Sequence, residues 1–520
     1  MADFEQSPLI STLRYRTRGA EKPEQEEICT QLMLGLKEYY CHLPQKMSAF
    51  GFDPIQQLDT LRNSDGRGFT RSMLRIINRL RDRHTTLRLA EPWTHMVAYV
   101  PFIIEQYFNE RGWAEYVVSK HLFGFDEIPI GARVTHWNGV PIHIYLREFG
   151  RQSQGANASA QMRLAISYLS IRSMAYVPMP NEDWVTLTYY DPSGALKTSS
   201  TPWRFYINQP SPTQGGGAGA GAGEASGDAA LHIGLDEQTL TSNKFKSLAQ
   251  NVEASAKLAE TTSEGALRYG KVETPTGPCG YLRIFSFDVG NVDSFISRMA
   301  KILADLPQER LIIDLRENPG GMIPAGQKLI RLLSPKERLE AAPISFRSTR
   351  STQKLAALRG FEAWQKSLEL QGATANLWSQ SFPIVPYYQG IPDYRYPGKV
   401  TLIIDSLCYS TTDFFAADFR DNGLGKIIGI DAATGGGGAN VWPWNTLVRF
   451  ANYAGDAAPK ALPVGYSLNL SLRRAYRTGS SRGLPIEDLG VPADTRYKMT
   501  RRDLLEENTD LIDFSAAQMA

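Results

Sequence analysis

Residues 398–434, GKVTLIIDSLCYSTTDFFAADFRDNGLGKIIGIDAAT, constrain the fold more than any other stretch. Val400 to Ile404 is a short apolar run after a Pro397-Gly398 break, as expected of a buried parallel strand. Phe414 to Phe419 has the spacing of a helix buried on one side, closing near Asn422-Gly423. Gly425 to Ile430 is a second apolar run. The order strand, tight turn, helix, strand implies a parallel crossover, with Ser410 at the turn. A serine there stands at a helix N-terminus, where unpaired backbone N–H groups and the helix dipole favour developing negative charge. Acyl transfer needs such a place for its oxyanion. Ser410-Thr411-Thr412-Asp413 equally fits a capping box, in which Ser410 only caps the helix and Asp413 caps back.

The length of 520 residues allows about three domains. A formal charge of +2 argues against a nucleic-acid partner, which selects a strong basic excess. Arg71, Arg75 and Arg79 recur at helical spacing, as on a solvated face or, alternatively, for carboxylate capture. Cys29, Cys41, Cys279 and Cys408 lie far apart, with neither a CxxC pair nor metal-ligand spacing, so a free buried thiol is the expectation for Cys408. No metal and no cofactor is expected. The N-terminal MADFEQSPLISTLRYRTRG lacks an apolar signal core, and no apolar run approaches the ~18 residues of a membrane span. These features predict a cytoplasmic protein in a reducing compartment.

Along the chain, residues 1–22 read as a polar, loosely held lead-in. Ile28, Leu32, Gly35 and Tyr39 mark a first helix face. The spacing of Met73, Ile76, Ile77 and Leu80 predicts a helix over 70–81. It ends at Asp82-Arg83-His84-Thr85-Thr86, where a lone His is by default a hydrogen-bonded structural residue or C-cap. Residues 96–209 read as a β-rich unit with a more helical insertion at 151–180. Asn138-Gly139 forms a turn between strands, and Trp184 to Tyr190 alternates as a strand. Residues 210–228, PSPTQGGGAGAGAGEASGD, form a low-complexity linker, with a modest helix expected over Leu248 to Leu258.

From 266 onward the pattern becomes α/β. Tyr281 to Phe287 and Leu311 to Leu315 read as strands. Phe295, Met299, Ile302 and Leu306 line a helix, and another runs to Leu333. Residues 336–397 interrupt this as an arm with Phe361, Trp364 and Leu368 on a helix, followed by the aromatic stretch 386–390. Tyr466 to Leu472 reads as an outer strand, ahead of a polar helical tail.

Several separated segments resemble one family. Gly131 to Val140 is similar to the "GD-x-I-x-x-x-NG" core of PDZ domains, with Ala132 in place of the usual Asp. Leu311-Ile312-Ile313-Asp314-Leu315-Arg316-Glu317-Asn318-Pro319-Gly320-Gly321 resembles the "IDLR-x-N-x-GG" signature of the C-terminal processing (tail-specific) serine peptidases. Ser410 to Asp413, with Ala416, Asp421, Asn422, Gly423, Gly429 and Thr434, is similar to that family's nucleophile block. Pro485 to Asp494 resembles its closing "P-I-E-x-x-GV-x-PD" motif. One departure matters: the tail-specific branch places its catalytic Lys just after the closing Thr, where this chain has Thr434-Gly435-Gly436-Gly437-Gly438.

A second branch, including the tricorn core and a chlamydial protease-like activity factor, uses Ser, His and Glu. Its "D-x-H" context is similar to Asp82-Arg83-His84. The resemblance therefore implies a ClpP/crotonase-like α/β core at 266–520 with the arm at 336–397. It adds an N-terminal helical region at 1–95 carrying the catalytic His, a PDZ-like domain at 96–209, and a linker with a candidate inhibitory segment at 210–265. It implies a serine endopeptidase with Ser410 as nucleophile, His84 as general base and Glu487 as orienting carboxylate, Asp488 and Asp421 competing for the last role. Gly320 or Gly321 and Thr411 would supply oxyanion N–H groups, against the alternative of a plain strand-to-helix turn. The expected partner is a protein or peptide substrate, with a homodimer as the candidate assembly. The rival reading is an inactive peptide- or ligand-binding protein on the same fold. An α/β-hydrolase is disfavoured, since no GxSxG elbow surrounds Ser410.

Overall fold

In the computed structural model, the described residues are 4–13, 20–64, 68–207, 233–249, 259–260, 267–335, 339–384 and 391–520. The linker expected at 210–228 and the aromatic stretch 386–390 lie outside them, as do residues 250–258 of the expected Leu248 to Leu258 helix.

The anticipated strand–turn–helix–strand unit lies inside a seven-stranded sheet ordered Ala259–Glu260, Leu267–Thr274, Gly277–Ile284, Arg310–Asp314, Lys399–Ile404, Gly425–Gly429, Thr495–Arg496. From Gly277–Ile284 onward every neighbouring pair is parallel. Continuous apolar runs are what such a sheet requires, because both faces are covered. Leu311, Ile313, Leu402 and Ile404 pack with Phe295, Met299, Leu329 and Phe415 from the helices Val292–Asp305, Ile323–Leu333 and Thr411–Asp421. Ile312, Ile403 and Ile428 point the other way, onto Leu511 and Ala516 of the C-terminal helix Thr509–Ala517. Each of these leucine, isoleucine, methionine and phenylalanine side chains contributes about 1.5–3 kcal/mol of burial.

The N-terminal helices Lys22–Glu38, Leu43–Phe50, Pro54–Arg62 and Phe69–Asn78 share the first of these cores, through Ile28, Leu32, Met73 and Ile77. Arg71, Arg75 and Arg79 are exposed on the last of them, as the solvated-face reading expects. The β-rich region has its own core. Its main sheet runs Phe102–Phe108, Ala114–His121, Arg133–Trp137, Trp184–Tyr190, Leu196–Pro202, with the helices Ile142–Gly150 and Ala158–Ser170. Asn138 and Gly139 have φ of 49° and 77°, the left-handed pair that an Asn-Gly hairpin turn requires.

Two expectations change. The lead-in is anchored: Phe4, Ile10 and Leu13 are buried in the β-rich core. Ser467–Ala475 is a central rather than an outer strand. It pairs with Thr86–Arg88, Pro343–Phe346 and Ala439–Pro443. Its outward-looking alternation ends at Leu470, after which every residue is buried, with Ala439–Pro443 on one side and Pro343–Phe346 on the other. Among the described residues no helix is long and apolar enough to cross a membrane. All four cysteines are free and buried.

Candidate active site

Ser410 is the N-cap of the helix Thr411–Asp421 and has φ 65°, a left-handed conformation that costs a non-glycine residue about 1–3 kcal/mol. The turn is held by its neighbours. Tyr409 N–H donates to Asn318 O at 3.0 Å, and Ser410 N–H donates to Asp413 Oδ2 at 2.8 Å. Asp413 also accepts the N–H groups of Gly436 and Gly437 at 3.1 and 2.8 Å, and the hydroxyl of Thr434. Burial pushes the Asp413 carboxyl up to about 6 against these donors. Ser410 Oγ is fully buried and makes no hydrogen bond.

His84 follows the helix Phe69–Asn78 and is fixed by Asp82. Asp82 Oδ1 accepts His84 N–H at 2.8 Å, while Oδ2 accepts the hydroxyls of Thr85 and Ser471 at 2.9 and 2.8 Å. The imidazole packs on the ring of Tyr409, centroids 4.6 Å apart. His84 and Ser410 thus flank the same tyrosine, but neither imidazole nitrogen has a hydrogen-bond partner, so the two do not bond to each other. Burial holds His84 down to about 4, the nearby Asp82 and Asp236 carboxylates opposing it. The ring is therefore neutral at neutral pH, the form a general base needs.

Glu487 is also fully buried. Its Oε2 accepts Gly438 N–H at 3.1 Å, and its Oε1 lies 2.6 Å from Lys46 Nζ. Burial pushes this carboxyl up, with the Lys46 ammonium opposing. A β-carbon on Gly437 would strike the Tyr409 ring, so the glycine run that replaces the absent lysine lets the backbone pass close beneath that ring. Asp488 binds Lys46 and Gln45 through its two oxygens, each at 2.5 Å. Asp421, weighed for the orienting role, pairs instead with Arg477 at 2.5 Å and accepts Thr478 N–H at 3.0 Å.

Two residues of this cluster were not anticipated. His42 Nε2 is 3.5 Å from Glu487 Oε2, and burial holds its pKa well below the ordinary value. Lys46 retains its proton because Glu487 and Asp488 outweigh the cost of its burial. The only sequence sign of Lys46 is its place on the buried side of Leu43–Phe50, three residues after buried Leu43. Ligand atoms of His42, Asp82 and Glu487 lie within 4.8 Å of one another, a spacing that suits a cation. The Lys46 ammonium already fills that role at Glu487.

The glycine strand Gly320–Met322 borders Ser410: Thr411 Oγ1 donates to Gly321 O at 2.8 Å. Gly321 has φ 144°, and a β-carbon there would overlap the Phe287 backbone. Gly320 N–H is committed to Asn318 Oδ1 at 2.9 Å. The free edge of this strand is covered. Ile233–Leu235 pairs with it antiparallel, Gly234 opposite Gly321 and Leu235 opposite Gly320. Asp236 N–H then donates to Pro319 O at 2.8 Å, and the helix Glu237–Ala249 begins. This helix is tied down by Asn243 Nδ2 to Glu317 O at 2.8 Å, Tyr168 Oη to Gln238 Oε1 at 2.8 Å, and Asn469 Nδ2 to Glu237 Oε1 at 2.9 Å. Residues 233–249 fall within the 210–265 stretch read above as a linker with a candidate inhibitory segment.

Residues 278–451 match Peptidase family S41. No curated protein matches the chain. A crystal structure of mature CPAF is 16% identical and superposes with a TM-score of 0.66, covering 95% of this chain and 96% of that one. A structure of mature CPAF complexed with lactacystin gives the same identity and TM-score over 95% and 97%. The tricorn protease is 12% identical, covering 96% of this chain and 37% of its own, and its TM-score of 0.38 is too low to bear on the fold.

Proposed function

Because residues 278–451 carry a peptidase family S41 domain, we propose that the chain is a serine endopeptidase acting through an acyl-enzyme on Ser410. The observation that supports this reading is that His84 packs on the ring of Tyr409, the residue before Ser410, with Asp82 binding the His84 N–H and Asp413 the Ser410 N–H. His84 takes the Ser410 proton as Oγ bonds to the peptide carbonyl carbon. It returns that proton to the leaving amine as the C–N bond breaks. A water then attacks the ester, giving its proton to His84, which restores Ser410 as the C–Oγ bond breaks. Glu487 is the orienting carboxylate of the working form, with the Lys46 ammonium opposing the burial that pushes its carboxyl up. Gly321 and Thr411 N–H groups bind the oxyanion, helped by the helix N-terminus.

The form described here is closed. A substrate entering as an extended strand requires the edge that Ile233–Leu235 occupies, since main-chain pairing to a strand edge is how such clefts hold peptides. Residues 233–249 are on this reading an internal inhibitor. The alternative that 210–260 is a passive spacer predicts no effect of its removal. Deleting residues 212–260 tests both parts, provided the product unfolds cooperatively. Cleavage of an internally quenched peptide should accelerate in the deletion variant and vanish with Ser410→Ala. An unchanged rate leaves only the spacer, and cleavage that survives Ser410→Ala rejects the nucleophile.

A further inference from the structure

Arg83 sits between Asp82 and His84, and its side chain has no role in the chemistry above. It is fully buried, and none of its three guanidinium nitrogens makes a hydrogen bond. Its guanidinium carbon stacks over the Tyr409 ring at 3.9 Å, and its backbone N–H donates to Tyr409 Oη at 3.1 Å. The guanidinium therefore borders the same tyrosine as Ser410 and His84. Its one salt-bridge partner among the described residues is Asp236, Nη1 to Oδ2 at 3.3 Å, both side chains fully buried. Asp413, the other carboxylate acting on it, is committed to Ser410, Thr434, Gly436 and Gly437.

Asp236 belongs to the segment covering the cleft, one residue past the strand that pairs with Gly320–Met322. When that segment leaves, a buried cation with five donors is left without a counter-ion, at a cost of several kcal/mol unless another anion replaces it. The present contact is also poor: a single oxygen approaches, outside hydrogen-bond geometry. Arginine is suited to a carboxylate that approaches as a fork.

We propose that Arg83 forms a subsite of the peptide cleft that accepts a carboxylate, so that the preferred substrates carry an acidic residue beside the scissile bond. Asp236 stands in for it in the closed form. The substrate pairs with Gly320–Met322 in the register of Ile233–Leu235 and sets its Asp or Glu side chain against the guanidinium. This rests on the endopeptidase reading and on the segment 233–249 leaving the cleft. Because Asp236 is internal to its chain, the carboxylate is assigned to a side chain and not to a substrate C-terminus.

The test uses the full chain with Asp236→Asn, which weakens the internal occupant. Internally quenched peptides with amidated C-termini, identical but for Asp or Asn at one position, are scanned across the scissile bond. At one position Asp should raise kcat/KM by about tenfold or more over Asn, as for a buried charge-assisted pair. Adding Arg83→Gln should bring that ratio to about one, and Arg83→Lys should leave a reduced preference. A ratio near one at every position, or a preference indifferent to Arg83→Gln, overturns the subsite. So does a preference that requires a free C-terminal carboxylate on the peptide. Binding of the same peptides to the chain carrying both Asp236→Asn and Ser410→Ala separates the two readings. Arg83-dependent selection of Asp without any cleavage by the Ser410 parent rejects the peptidase and retains the subsite. Binding of neither peptide rejects the subsite.

Discussion

The core of the β-rich region and the cluster around Tyr409 are both buried, yet they are filled by opposite chemistry. The β-rich core is built from Val97, Val118, Leu146, Val185, Leu187 and Trp203, with the buried Arg172 stacked on the rings of Phe149 and Trp203. Around Tyr409, by contrast, His42, Lys46, Asp82, Arg83, His84, Asp236, Asp413 and Glu487 are all shielded from solvent. Burying such groups costs free energy that only specific partners offset. Those partners are incomplete: both nitrogens of His42 and His84, all of the Arg83 guanidinium and Ser410 Oγ lack hydrogen bonds. An apolar core explains why a region folds. A buried polar cluster with open valences indicates where a second molecule is accommodated.

The largest expected effect breaks the comparison if it fails. Ser410→Ala and His84→Ala should each lower kcat by about 10⁴–10⁶, and the double variant little further, because the two act in one step. Additive losses in single-turnover peptide cleavage would show separate steps. Leu146→Ala in the β-rich core should instead cost about 2–5 kcal/mol of stability with kcat of the folded fraction nearly unchanged. A parallel collapse of kcat would mean that the two regions are not separable.

Next in size, Lys46→Met strands Glu487 as a buried carboxylate and should destabilise by about 3–5 kcal/mol. Denaturant titration should show the loss shrinking as pH falls, because protonation of Glu487 removes the unpaired charge. It should also shrink with the added change Glu487→Gln. A loss independent of both would reduce Lys46 to packing.

The smallest effect is a titration. In the full chain the His84 imidazole should stay neutral down to about pH 4, whereas deletion of 212–260 should rehydrate it and move its midpoint towards the ordinary ~6.5. Losing Asp236 pulls the other way, but burial is the larger cause. The sign for stability follows. Between about 6.5 and 4 the unfolded chain binds a proton that the folded ring refuses, so this group subtracts stability as pH falls. Ring-proton chemical shifts in the two forms check it.

The parts of the molecule that local pattern determines were legible in the sequence. The apolar runs 400–404 and 425–430 specified a parallel pair, and Asn138-Gly139 specified its hairpin. Ser410 stands at a helix start, as the local pattern predicts, and Asp82 binds the backbone N–H of His84. What pattern does not carry is long-range. Lys46 meets Glu487 and Asp488 across nearly the whole chain, and its helix, LPQKMSAF, is too short to make one buried lysine stand out. Ser467–Ala475 is central only because strands from distant segments flank it. Residues 233–249 reach Gly320–Met322 and its surroundings by main-chain pairing and polar contacts, which leave no apolar periodicity to read.

The most direct test of Ser410 as an activated nucleophile is labelling by an aryl phosphonate followed by peptide mapping, on the full chain and on the 212–260 deletion variant. One adduct is expected, on Ser410, forming faster in the deletion variant and lost with His84→Ala. An adduct elsewhere, or one on Ser410 that forms at the same rate without His84, would contradict it.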